Sequence, residues 1–265
     1  TPRQIRVYQA MRVKEEDFPV FAHLPFVMGT DNVKLSKRNG EVSIAWYREQ
    51  GFLPEAICNY LALLGWSPGN DREDISMKEL TEIFEVHDVH SSPARFDMKK
   101  LEAINGDKIR ALSDEIFFDF ALPFLIESGI ISGTADEISL VKKALPIIQE
   151  RIVKLAEIPA MLNFLFVKDF QIAFDEKDKV SDSVAKKVLM KSLEVLEPIA
   201  NWTHDVIEGE LRTALIEGME LKPRIAFGAV RIAVTGSHIS PPLFESMELL
   251  GKDASIERIK HAITI

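Results

Sequence analysis

Residues 54–65 read PEAICNYLALLG, and they decide the fold class. Proline at the first helical position and glycine just past the stop are the two ends a helix favours. Between them Ile57, Tyr60, Leu61 and Leu64 recur on one face at the helical period. The same signals repeat along the chain. Ser76 with Glu79, and Thr134 with Glu137, have capping-box spacing. Asp97 is the expected cap of a short helix stopping at Asn105-Gly106. The Thr134 helix is expected to be long, running through IVKLAEI until Pro159 bends or breaks it. Ser181 is the expected start of the next, with Val184, Val188, Leu189, Leu193 and Leu196 on one side. Later helices are predicted near Thr203, Pro223, Ser240-Pro241-Pro242 and Asp253. At the front, Thr1, Pro2 and Gln4 predict a helix running to about Val13.

Only Phe18 to Met28, apolar and interrupted by Pro19 and Pro25, reads as extended pieces. No alternating strand pattern follows residue 40, and there is no fixed-period repeat. The fold class is therefore mainly all-α with a small extended remnant. Parallel strands need neighbours in a sheet. The sequence offers none, so the front is expected to be the end of something larger.

With 265 residues, 46% hydrophobic and 28% charged, the composition is that of a globular protein with two or three modules. No apolar run approaches the roughly 18 residues of a membrane span, and the start lacks a secretory pattern. A single cysteine excludes an internal disulfide framework and suits a reducing, cytoplasmic setting. Cys58, inside the apolar helical pattern, is expected to be a buried structural thiol. Trp46, Trp66 and Trp202 are expected as core anchors. The six histidines show no i, i+4 pairing and no cysteine partners, so no metal site is expected.

The net charge of −9 argues against a general nucleic-acid binder, yet two acid-free cationic stretches stand out. Residues 32–40, NVKLSKRNG, carry Lys34, Lys37 and Arg38. Residues 221–244 carry Lys222, Arg224, Arg231 and His238. Lys34 and Lys37 lie three apart around Ser36, so a tight loop can turn both ammonium groups toward one polyphosphate. Lysine suits that task as a mobile point charge. The bland alternative is a solvated basic turn.

Three stretches, FAHLPFVMGTDNVKLSKRNG, YREQGFLPEAICNYLALLGWS and SSPARFDMKKLEAIN, together resemble bacterial-type glutamyl-tRNA synthetase, with KLSKR where this class I family has its KMSKS loop. The resemblance continues through LKPRIAFGAVRIAVTG and SPPLFESMELLG to the closing helix, more weakly over 113–200. It implies an ATP-dependent ligase that adenylates glutamate and transfers it to the 3′ end of its tRNA. It also implies a monomer without DNA or membrane partners. The loop is then Lys34, Leu35, Ser36, Lys37 and Arg38, with Lys37 matching the lysine expected on the ATP phosphates. The implied divisions are the end of the catalytic domain (1–40), a helical stem-contact domain (41–112) and two all-α anticodon-binding modules (113–200 and 201–265).

The family's HIGH motif and glutamate pocket find no counterpart. The chain thus resembles the C-terminal part, expected not to activate glutamate by itself, with ATP and Mg2+ serving the full-length enzyme and no cofactor on this part. Candidate tRNA contacts are Arg95, Lys99 and Lys100 on the stem side, and Lys222, Arg224, Arg231 and His238 on the anticodon side. For Arg224 and Arg231 the competing expectation is a structural ion pair, and for His238 a plain surface loop. The partner is tRNA(Glu), with tRNA(Gln) an open alternative. A helical protein-interaction scaffold would leave the cationic loops unexplained, and an independent ATP-binding enzyme would lack a nucleotide-binding sheet.

Overall fold

The computed structural model describes residues 1–29, 33–35, 43–69, 72–167, 170 and 183–265. Ser36, Lys37, Arg38 and the helix start expected at Ser181 lie outside the described residues. The chain divides into two units, one of Thr1–Trp46 with Pro54–Ile104, the other of Tyr47–Leu53 with Asn105–Ile265.

The described elements of the front half are α1 (Pro2–Ala10), β1 (Val27–Met28), α2 (Ile44–Glu49), α3 (Pro54–Leu63), α4 (Met77–Ile83), β2 (Ala94–Arg95) and α5 (Met98–Arg110). Thr1 and Pro2 open α1 as expected, but it ends at Ala10 and Thr1 makes no side-chain cap bond. The expectation that the extended front has no neighbour in this chain is corrected. β1 pairs in parallel with β2, Val27 beside Ala94 and Met28 beside Arg95. Two residues are too few to alternate, so β2 carries no strand signature.

The face of α3 also needs correction. It buries Ala56, Asn59 and Tyr60, while Leu61 is 50% exposed and Cys58 is an exposed thiol. The buried Asn59 amide donates to Glu73 O (2.9 Å) and accepts from Ile75 N (3.0 Å). A polar side chain with both roles filled sits inside without penalty, and this turns Leu61 and Cys58 outward. Trp66, Ile75 and Leu80 make the small core beside it, and Ser76 caps α4 by accepting from Glu79 N (3.1 Å).

Asp97 caps α5 through Lys99 N (2.9 Å), but the helix does not stop at Asn105-Gly106. It continues to Arg110, because Asn105 spends its amide on other segments. Its Oδ1 accepts from Leu53 N (2.8 Å), and its Nδ2 donates to Gly51 O (3.3 Å) and Val153 O (2.6 Å). A side chain so occupied cannot compete for its own backbone and end the helix.

Among the described residues, the remaining α-helices are α6 (Asp114–Glu127), α7 (Ala135–Gln149), α8 (Ile158–Phe166), α9 (Ser183–Leu196), α10 (His204–Leu211), α11 (Pro223–Thr235), α12 (Leu243–Leu250) and α13 (Lys252–Thr264). The Thr134–Glu137 capping box is complete. The break expected at Pro159 comes earlier: α7 ends at Gln149, and Pro159 lies in the first turn of α8, where its missing N–H has no bond to lose. On α9 the buried side holds Ala185, Val188, Leu189, Ser192 and Leu196, with Val184 outside. α9 to α13 enclose one continuous core that includes Leu189, Leu196, Leu211, Val230, Met247 and Ile259. Of the tryptophans, Trp66 is buried, Trp46 is half-buried, and Trp202 donates its Nε1–H to Met247 O (2.8 Å).

Candidate functional site

The root of KLSKR is fixed by backbone. Met28 forms an antiparallel bridge with Lys34, Leu35 N donates to Val27 O (3.0 Å), and Gly29 N donates to Val33 O (2.8 Å). β1 therefore holds Lys34 and Leu35, the first two residues of KLSKR. The Lys34 ammonium stands 3.7 Å from the centroid of the Phe26 ring, a cation–π contact.

On the stem-side candidates, Arg95 is exposed on β2 and Lys99 is exposed in the first turn of α5. Lys100 is engaged, its Nζ 2.6 Å from Glu73 Oε1. Cations in a first helical turn oppose the helix dipole, so helix stability does not account for this pair of lysines.

In the second unit Lys222 is the exposed N-cap of α11 and Arg224 lies exposed in its first turn. Arg231 follows farther along the helix, half-buried. Its Nη1 donates to Ser240 Oγ (2.7 Å) and Pro241 O (2.8 Å), so the observed tie goes to a hydroxyl and a carbonyl. Burial, and then the neighbouring Arg151, lower its pKa below the ordinary guanidinium value, with Glu245 opposing. The Thr235 hydroxyl lies 2.8 Å from Arg231 O and 3.1 Å from Ser237 O, and Gly236 takes φ +74° to end the helix. Exposed Ser237, His238 and Ile239 form the tip between Thr235 and Ser240. Lys222 and Arg224 thus mark one end of α11, and Arg231 and His238 the other.

Two arginines escaped the sequence reading. Arg151, just past α7, adds its charge near Arg231, and nothing in its spacing announces that. Arg258 did leave a signal: on α13 it shares the side of Ser255, Ile259 and Ala262, all buried, so a cation stands on an apolar stripe.

α10 is capped from a distance. Thr203 makes no side-chain cap bond; instead Glu248 Oε2 on α12 accepts from His204 N (2.7 Å) and lies 2.7 Å from His204 Nδ1. The hydrogen bond to Glu248 raises the imidazole pKa, against burial and with help from Asp205. The backbone N–H of His204, then its ring, lowers that of the carboxyl. The raised imidazole stabilises the fold below its ordinary value and loses that effect as pH rises through the raised one. The lowered carboxyl stabilises above its ordinary value and loses that effect as pH falls through the lowered one. Both act fully between 4.5 and 6.5. Glu248→Gln should bring the NMR titration of His204 down to the ordinary range and flatten stability at both limbs. An unmoved titration would rule the cap out as the cause.

A family model described as an anticodon binding domain matches residues 117–263, and one described as the catalytic domain of class I tRNA synthetases (E and Q) matches residues 1–103. Glutamate–tRNA ligases of Nocardioides sp. and Paenarthrobacter aurescens are each 46% identical over 99% and 98% of this chain, corresponding to 55% and 52% of theirs. The chain spans about half the length of the curated relatives it matches. A crystal structure of a glutamate tRNA ligase from Elizabethkingia meningosepticum, in complex with its amino acid, matches with a TM-score of 0.74 at 27% identity. It covers 98% of this chain and 54% of that one.

Proposed function

Because this chain belongs to the anticodon binding domain family, we propose that it is the tRNA-recognising part of a glutamate–tRNA ligase. The observation that carries this is collinear identity of 46% with such ligases over nearly the whole chain. In the full-length enzyme, ATP with Mg2+ would adenylate glutamate, and the acyl group would pass to the 3′ end of tRNA(Glu), or of tRNA(Gln) as well, in the cytoplasm. KLSKR would supply cations to the ATP phosphates from the root that β1 fixes, Lys37 foremost. Residues 41–112 would serve the stem side, with Arg95 and Lys99 toward the RNA. The modules 113–200 and 201–265 would serve the anticodon, with Lys222, Arg224, Arg231 and His238 as contacts. An acidic chain that binds RNA concentrates its cations where phosphates lie, since net charge gives it no long-range attraction.

Titration of the purified chain with tRNA at several salt concentrations tests the reading. RNA contact gives an affinity that falls linearly on a log–log salt plot; a protein-interaction scaffold gives no titration. Arg231→Ala sharpens the test. Losing the bonds to Ser240 and Pro241 should cost about 1–2 kcal/mol of stability, visible as a lower Tm whatever the function. Contact with a phosphate predicts in addition weaker tRNA binding and a salt slope smaller by roughly 0.7–0.9. A lower Tm with the slope unchanged would leave Arg231 a structural residue only.

A further inference from the structure

We propose that Arg258 is a positioning residue for the loop 236–239, holding the last turn of α11 by bonding the terminal carbonyls of α8 and α11 at once. The proposal rests on the tRNA-binding reading above and adds to it the group that presents the anticodon-side tip.

Arg258 Nη1 donates to Val234 O (2.7 Å) and Nη2 donates to Phe164 O (2.8 Å). Phe164 lies in the last turn of α8 and Val234 in the last turn of α11, where carbonyls have no intrahelical partner. Both ends carry the negative pole of a helix dipole, and one planar guanidinium satisfies both. One face of its plane is covered: the guanidinium carbon lies 3.8 Å from the Phe170 ring centroid. Half-burial pushes the pKa down to about 10, with Glu257 opposing, so the group stays charged at neutral pH. A lysine could reach one carbonyl but offers neither the fork nor the flat face.

What this arginine holds is the neck of a closed circuit. Val234 is fully buried. One residue on, Thr235 bridges Arg231 O and Ser237 O, and Arg231 reaches over to Ser240 and Pro241 beyond the tip. The tip itself is open to solvent, Ile239 being 75% exposed. A loop that meets RNA in one conformation binds better if it is ordered beforehand, because ordering on contact subtracts from affinity.

The test uses the whole chain with Arg258→Lys and, separately, Thr235→Val, which cuts the same turn without touching α8. Three measurements are made. These are amide hydrogen exchange of the unliganded chain, tRNA titration at several salt concentrations, and a double-mutant cycle with Arg231→Ala. Arg258→Lys should speed exchange across 236–240 about tenfold and weaken tRNA binding about tenfold, the scale of one charge-assisted hydrogen bond. The salt slope should not change, since no phosphate contact is removed. In the Arg231→Ala background the further loss of affinity should largely vanish. Unchanged exchange at 236–240, exchange raised evenly over the unit, a reduced salt slope, or additive affinity losses would each overturn the proposal. If Arg258→Lys does not fold, Thr235→Val must reproduce the pattern or the proposal falls. Should the parent chain fail to bind tRNA at all, the functional reading fails, while the exchange measurement still decides the role of Arg258.

Discussion

Gly51→Ala is expected to destabilise the second unit by about 4 kcal/mol, combining backbone strain of roughly 1–2 kcal/mol with overpacking of roughly 1–3 kcal/mol. Gly51 is buried and has φ +80°. A Cβ there would stand 2.5 Å from Leu155 N, 2.6 Å from Ala156 N and 2.7 Å from Leu155 Cβ. The obstacle is backbone, and it is tied in place. Leu155 N donates to Gly51 O (3.1 Å), and Asn105 bonds Leu53 N, Gly51 O and Val153 O. Neither strand of chain can step aside without breaking a buried hydrogen bond, each worth about 1–3 kcal/mol when a partner is left unsatisfied. Gly129 is the control, with φ +75° and nothing within 4 Å of its Cβ position, so Gly129→Ala carries only the strain. Urea unfolding of the two variants checks this, and equal losses would show that crowding at Leu155 plays no part.

Lys37→Ala, made in the full-length enzyme, should lower glutamate-dependent ATP–pyrophosphate exchange about a hundredfold, or roughly 3 kcal/mol of transition-state stabilisation. Affinity for tRNA should stay nearly intact, because under the proposed function the loss would fall on charge developing at the phosphates. Lys34→Ala should do less directly, since the Lys34 ammonium is occupied over Phe26 at 3.7 Å. Its effect would come through the lost contact with Phe26, since the backbone bridge to Met28 stays. An exchange rate unchanged in Lys37→Ala would reduce KLSKR to a surface turn.

Signals that act over one helical turn were legible in the amino-acid order alone. Ser76 with Glu79 and Thr134 with Glu137 cap helices because cap and partner are covalently three residues apart. The all-α class, the later helix starts and the cationic stretches followed from the same short-range reading. Tertiary structure decided what depends on partners far along the chain. Asn105 reads locally as a helix stop, yet its amide serves residues 51, 53 and 153, and α5 runs on. Cys58 and Leu61 read as core, yet Asn59 took the inner face once Glu73 and Ile75 met its amide. Glu248 caps α10 from α12, which no spacing near Thr203 foretells. Arg231 carries charge in any reading, but whether that charge faces solvent or Ser240 is settled by where the chain returns after Gly236. The physical reason is common to these cases: a polar group satisfied at long range no longer competes for its neighbours, so its local preference stops governing the backbone.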